Sequence, residues 1–352
     1  MSLYFSSYRF MCALWSFCLA HVCVCVCVCV CVCVCVVWIP SRPWTLTDMQ
    51  TIMEEATMDG EIRAALEARM QRLGIELLPG TGIFENLQPP AADGGFGSVV
   101  LCDANASCRK CEFDVVLSAT GRIGCCASLN IERAGCADPV QGRAVVESDS
   151  MRCLDASKMS PVPHIYAVGD AETGSDLLPE GLLSTGLASA YIATHSAFPK
   201  EMDSIAGVDL SEFDRHCPVA IWVEPTVGYV GLSSDSARSK FGDGKTAEIT
   251  VYFSETIKGC VDRAHPYGED EFYKVVYHKR DGRILGVHIY GSNASEMIHF
   301  AGAIVNKSAT VFEVIRTVPP AVTLQEALKK ACMRAAIEIA ASGSMKEALA
   351  SK

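Results

Sequence analysis

Apolar residues recur at Ile62, Leu66, Met70 and Leu73. That spacing places them on one face of a helix. Asp59 ahead of the run and Gly74 behind it supply start and stop signals. Residues 75–78 then read as a strand, and 97–102 and 112–118 as two more across a polar loop. The second of these runs into Ala119-Thr120-Gly121-Arg122: an apolar strand, small residues, a glycine and a polar tip. Residues 164–170, His-Ile-Tyr-Ala-Val-Gly-Asp, repeat that build and predict a short buried strand, a sharp glycine turn and an exposed carboxylate. A helix over 181–198, a polar linker over 200–217 and a strand over 219–223 follow. Two strand patterns, 272–278 and 284–290, flank Lys279-Arg280-Asp281-Gly282, whose Asp-Gly pair signals a hairpin. A helical pattern over 293–307 comes next.

The first 44 residues break this order. Residues 10–40 are apolar enough to suggest a membrane helix between Arg9 and Arg42. Yet 22–36 alternate Val and Cys strictly, as a translated GT dinucleotide repeat would. Residues 1–44 are therefore read as a low-complexity gene-model artefact, and a membrane partner is expected only if the segment is real. From Thr45 the composition is ordinary.

At 352 residues and 20% charged side chains, the chain is long enough for two globular domains. A net charge of −11 without a Lys/Arg cluster speaks against a nucleic-acid partner. Of nineteen cysteines, seven fall at every second position from Cys23 to Cys35. The rest are scattered, so reduced thiols in a reducing compartment are expected. Cys108-Arg109-Lys110-Cys111 is a lone CxxC, read as chance spacing in a hairpin loop, and Cys125-Cys126 has no assigned role. No metal site is expected, since His299 on its helix has no partner ligands.

Ala119-Thr120-Gly121-Arg122 followed by Ile165-Tyr166-Ala167-Val168-Gly169-Asp170 resembles the flavin-dependent pyridine nucleotide-disulfide oxidoreductase family. Asp59-Gly60-Glu61-Ile62, Glu224-Pro225-Thr226-Val227-Gly228 and Leu285-Gly286-Val287-His288-Ile289-Tyr290-Gly291 resemble further stretches of it. The helix carrying Glu296-Met297-Ile298-His299 is most similar to the soluble Si-specific NAD(P) transhydrogenase branch. The resemblance implies an α/β and α+β protein. A partial FAD/NAD(P)-binding Rossmann-like region over 45–217 would precede an α+β dimerisation domain over 218–352. It implies FAD and NAD(P) as cofactors, nicotinamide nucleotides as partners, and a homodimer. Asp170, with Gly169, would bind the ribityl or ribose part of FAD. Ala119, Thr120, Gly121 and Arg122 would lie close to the flavin. Leu178, Pro179 and Glu180 would lead into a helix whose N-terminus faces the flavin N1/C2 edge. Leu182 stands where the family carries a small residue.

The resemblance covers roughly 58–341, the second half or so of a family member. The family's GxGxxG turns and Cys-x4-Cys pair are not found, so activity is expected to be impaired by truncation. The family's tail delivers a His and an orienting Glu to the active site. Here Ala321 occupies the histidine position while Glu326 is present. Alanine cannot move a proton, which favours hydride passing from NADPH through FAD to NAD. The alternatives are a dihydrolipoamide dehydrogenase or mercuric reductase-like flavoprotein, and a non-catalytic homodimerisation module. A cytoplasmic location is expected, with mitochondrial as the alternative.

Overall fold

The computed structural model describes residues 58–90, 95–103, 105, 107–113, 115–119, 123–174, 181–206, 216–261 and 271–342, with backbone alone for 34–39, 42–48, 81–85, 116–119 and 203–206. A four-stranded sheet has the order β3-β2-β1-β7, from β1 (Val34–Ile39), β2 (Arg42–Asp48), β3 (Glu76–Pro79) and β7 (Val115–Ala119). Only β2 and β3 run parallel in it, and helix α1 (Gly60–Arg72) makes their crossover. β1 takes its first residues from the Val-Cys tract and pairs Val34 with Ala119.

A second sheet stacks β4 (Thr81–Gln88), β5 (Gly97–Asp103) and β6 (Cys108–Phe113) antiparallel. The single strand expected over 112–118 is thus two strands in two different sheets. A local apolar pattern carries no information about which sheet a strand joins. Cys102 and Cys108 sit directly opposite in the β5–β6 ladder and form a disulfide, with Cα atoms 4.1 Å apart. This corrects the expectation of reduced thiols for that pair. Side chains at directly opposed positions come within bonding reach whatever their separation in sequence. Cys111 remains a free thiol.

The middle of the chain builds small units. β8 (Ala144–Val145) pairs in parallel with β11 (Glu172–Thr173), and β9 (Arg152–Leu154) pairs antiparallel with β10 (Pro161–Tyr166). Helix α2 (Leu183–Ala197) follows, and α3 (Pro199–Ala206) occupies the start of the stretch expected to be a linker.

The C-terminal sheet is antiparallel, in the order β12-β13-β16-β15-β14, from β12 (Val219–Ile221), β13 (Val227–Gly231), β14 (Thr246–Tyr252), β15 (Phe272–His278) and β16 (Ile284–Tyr290). Every residue of β16 and all but the last of β15 are buried. Both faces are covered, hence the near-continuous apolar sequence of these strands in place of alternation. On one face, Ile62, Leu66 and Met70 of α1 pack against Val227, Tyr229, Phe272 and Tyr290. On the other, Tyr273, Val275, Val287 and Ile289 meet helices α6 (Ala294–Asn306), α7 (Val311–Arg316) and α8 (Glu326–Ala341). Two shorter helices, α4 (Ser234–Phe241) and α5 (Ile257–Val261), lie between strands of this region.

Candidate functional site

The glycine turn at the end of β10 is the centre of the candidate site. The strand leading to it is not buried as expected. His164 is exposed, and among the described residues β10 pairs with the short β9 alone. Without a strand on each side there is no second ladder to cover its outer edge. Beyond it, Gly169 takes φ +61°, which a side chain would strain, and a single 3-10 turn, Gly169–Ala171, presents Asp170 to solvent.

Helix α2 fixes this turn. The Gly169 N–H donates to Ser189 Oγ at 2.9 Å, and the Ser189 hydroxyl donates to Gly186 O at 3.0 Å. A Cβ on Gly169 would lie 3.5 Å from Gly186 Cα, so turn and helix meet glycine to glycine. Asp170 Oδ1 accepts from the Gly181 N–H at 3.0 Å, tying the acid to the approach of α2. The N-cap residue Leu182 has no side-chain acceptor for the first turn of α2. An exposed carboxylate thus stands beside the positive end of a 15-residue helix. Beneath the turn, Cys126 Sγ contacts Ala171 O at 3.5 Å. Arg152 Nε donates to the Tyr166 hydroxyl at 3.1 Å, and another guanidinium N–H donates to Ser196 O, joining β9, β10 and α2.

This arrangement fits a polyhydroxylated ligand. Asp170 is exposed, and its carboxylate can accept hydrogen bonds from hydroxyls. The structure therefore joins Gly169 and Asp170 to α2. Ala119 ends β7 in the four-stranded sheet, with backbone alone described. Thr120, Gly121, Arg122, Leu178, Pro179 and Glu180 lie outside the described residues.

In the tail, Glu326 Oε1 accepts from the Val322 and Thr323 N–H groups at 2.7 and 3.2 Å. This carboxylate, expected by resemblance to orient an imidazole, caps its own loop, and Ala321 stands at the position where the resemblance puts the histidine. Val322 takes φ +61°, a conformation disfavoured for a β-branched residue. A cavity of about 430 Å³ beside this loop is lined mainly by Met297, Phe300, Val318, Pro319, Pro320 and Leu328.

A buried polar cluster joins the start of α1 to the C-terminal sheet. Asp59 caps α1 through Glu61 N–H at 3.0 Å, and also accepts from Lys274 Nζ at 2.7 Å and Ser234 N–H at 2.9 Å. Lys274 further pairs with Glu61 at 3.1 Å. Burial opposes ionisation of Asp59, but the hydrogen bonds from Lys274 and the Ser234 amide, with the Lys274 charge, outweigh it and hold the carboxyl below the usual range. His288, fully buried, sets Nε2 3.0 Å from Leu232 O and leaves Nδ1 unpaired. The Nε2–H tautomer satisfies that contact, and burial keeps the ring neutral. The N-cap signal of Asp59 was legible, but Lys274 lies 215 positions away. Among the described residues, no group of three or more His, Cys, Asp or Glu is placed to hold a metal ion, and no helix is long and apolar enough to cross a membrane.

Comparison with known proteins defines the class of this fold. Residues 217–332 match the family model of the pyridine nucleotide-disulphide oxidoreductase dimerisation domain. Among solved structures, LpdA from Mycobacterium tuberculosis superposes with a TM-score of 0.62 at 19% identity, covering 82% of this chain and 56% of that one. The HOCl-induced flavoprotein disulfide reductase RclA from Escherichia coli gives 0.62 at 16% identity, with 82% and 57% covered. The fold is shared with these proteins. Among curated proteins, dihydrolipoyl dehydrogenase from Synechocystis sp. is 30% identical over 227 residues, 64% of this chain and 44% of that protein. The Bacillus subtilis dihydrolipoyl dehydrogenase is 26% identical over 281 residues, 79% and 52%. A mercuric reductase from Lysinibacillus sphaericus is 26% identical over 275 residues, 78% and 45%. The chain spans about half the length of these relatives.

Proposed function

We propose that the chain serves an FAD-dependent oxidoreductase that exchanges hydride with NAD(P) and works as a homodimer. The observation that carries this reading is the Gly169–Asp170 turn seated on α2, in a chain whose relatives include dihydrolipoyl dehydrogenases. FAD, when bound, would supply the two-electron chemistry. Asp170 would accept from its sugar-alcohol hydroxyls, and the N-terminus of α2 would favour negative charge placed beside it. Within this class, the similarity to dihydrolipoyl dehydrogenases and a mercuric reductase favours a flavoprotein of that kind over a transhydrogenase. One observation supports the NAD(P) transhydrogenase reading. Ala321 has no titratable side chain where the resemblance puts the imidazole of thiol chemistry, and hydride exchange between nucleotides needs none.

Helices α6 and α8 and the tail expose Phe300, Val318, Met333 and Ile337, an apolar set suited to a second copy of the chain.

The test is FAD binding to the purified full chain, followed by fluorescence quenching. Asp170→Ala should weaken binding roughly tenfold or more, as expected for a hydrogen bond to a charged group. Assays with dihydrolipoamide and NAD, and with NADPH and thio-NAD, then separate the two readings. A flavin-free dimer that ignores added FAD would leave only the dimerisation role.

A further inference from the structure

The inner face of α2 is shaped for close approach and not for apolar burial. Its buried residues are Thr185, Ala188, Ser189 and Ala193, all small. Leu183, Leu187 and Tyr191 point outward, at 82%, 57% and 49% exposure. A surface helix ordinarily turns its large apolar side chains inward, so this arrangement forgoes burial. What it gains is contact with one turn. Gly186 meets Gly169 with no side chain between them, since a Cβ on either glycine would lie 3.5 Å from the other's Cα.

Ser189 stands one helical turn past Gly186 and is 1% exposed. Its hydroxyl donates back to Gly186 O at 3.0 Å, which fixes the direction of the side chain. The oxygen is then aimed at the turn, where it accepts from the Gly169 N–H at 2.9 Å. Thr185, on the same face, spends its hydroxyl inside the helix, on Leu182 O at 2.7 Å. Alanine would suit the interior of α2 better than serine, so helix propensity does not account for Ser189.

From this geometry we infer that Ser189 is a positioning residue: it clamps the Gly169–Asp170 turn to α2 and so presets the Asp170 carboxylate for its ligand. The inference rests on the reading that this turn receives FAD. Ser189 itself is buried behind the turn, and its proton is committed to Gly186 O. Asp170 is exposed, and the Gly181 N–H holds its Oδ1 at 3.0 Å. The turn is thus tied at the amide preceding the acid and again at the acid itself. Without the Ser189 oxygen, the Gly169 N–H loses its acceptor on α2. The ligand must then order the turn as it binds, at a cost in affinity.

The experiment is calorimetric titration with FAD of the purified full chain, of Ser189→Ala, of Asp170→Ala and of the double variant. Ser189→Ala should raise Kd about fivefold, the worth of one hydrogen bond, and leave the stoichiometry unchanged. On the Asp170→Ala background the same substitution should change Kd little, because Ser189 acts through Asp170. A residue that merely supported the fold would weaken both backgrounds alike. Amide exchange measured by NMR without FAD gives an independent readout. In Ser189→Ala the Gly169 N–H should exchange faster, while amides of β16 keep their unmutated rates. An unmutated chain that binds no FAD overturns the reading beneath this inference, and the inference with it. Where FAD binds, an unchanged Kd in Ser189→Ala, an equal loss on the Asp170→Ala background, or an unchanged Gly169 exchange rate overturns the role of Ser189 alone.

Discussion

At the scale of single residues, the strongest constraint is the ion pair between Asp59 and Lys274, whose side chains are 2% and 7% exposed. Removing one member leaves the other charged and buried. Lys274→Met should therefore destabilise the fold by about 3–5 kcal/mol in urea titration, and a change below 1 kcal/mol would contradict the reading. The same cluster sets an acid response in two stages. His288 is held below its ordinary value of 6.5, so the unfolded chain binds its proton first. Stability contributed by the neutral ring is complete above that value and declines as pH falls below it. Asp59 is held below 3.8, and its contribution is lost only as pH falls beneath that value. His288→Gln should remove the upper stage and Asp59→Asn the lower, seen in thermal midpoints across pH. Val322 offers the opposite sign. Relief of its strained backbone, worth about 1–3 kcal/mol, exceeds the 0.5–1 kcal/mol that glycine's freedom costs. Val322→Gly should raise the thermal midpoint slightly, and a fall would show that the loop is not strained. Gly169, Asp170 and Glu326 were each legible from sequence as residues of interest. That Glu326 caps Val322 and Thr323 was not, since a resemblance transfers position without transferring the missing imidazole partner.

At the scale of elements, local signals worked where neighbours on the chain supply the physics. Asp59, the apolar face of α1 and Gly74 at φ +79° mark the start, the buried side and the end of a helix from within its own segment. The β15–β16 hairpin is set by its own turn and apolar strands. Thr310 and Glu313 form a capping box at the start of α7, so Thr310→Ala should cost about 1 kcal/mol without changing the fold. The failures share one cause. The single strand expected over 112–118 divides between two sheets, and the run before Gly169 is half-exposed, because strand partners are chosen by the rest of the molecule. The Cys102–Cys108 disulfide followed from ladder register and could not be read from spacing.

At the scale of the whole molecule, the C-terminal sheet organises the rest, since α1 covers one face and α6 to α8 the other. If the exposed apolar set joins two copies, Met333→Glu with Ile337→Glu should convert a dimer to a monomer in size-exclusion chromatography. An unmutated chain that elutes as a monomer would refute that interface. The amino-acid sequence by itself determined the C-terminal hairpin, the α1 and α6 helices and the glycine-acid turn, because spacing, caps and turn residues act within a few positions. Only the tertiary structure decided that Lys274 meets Asp59, that Cys136 and Cys153 share one core, and that Gly169 rests on Gly186. Each of these contacts joins segments that are separate along the chain, and burial in a common core, not local propensity, is what brings them together.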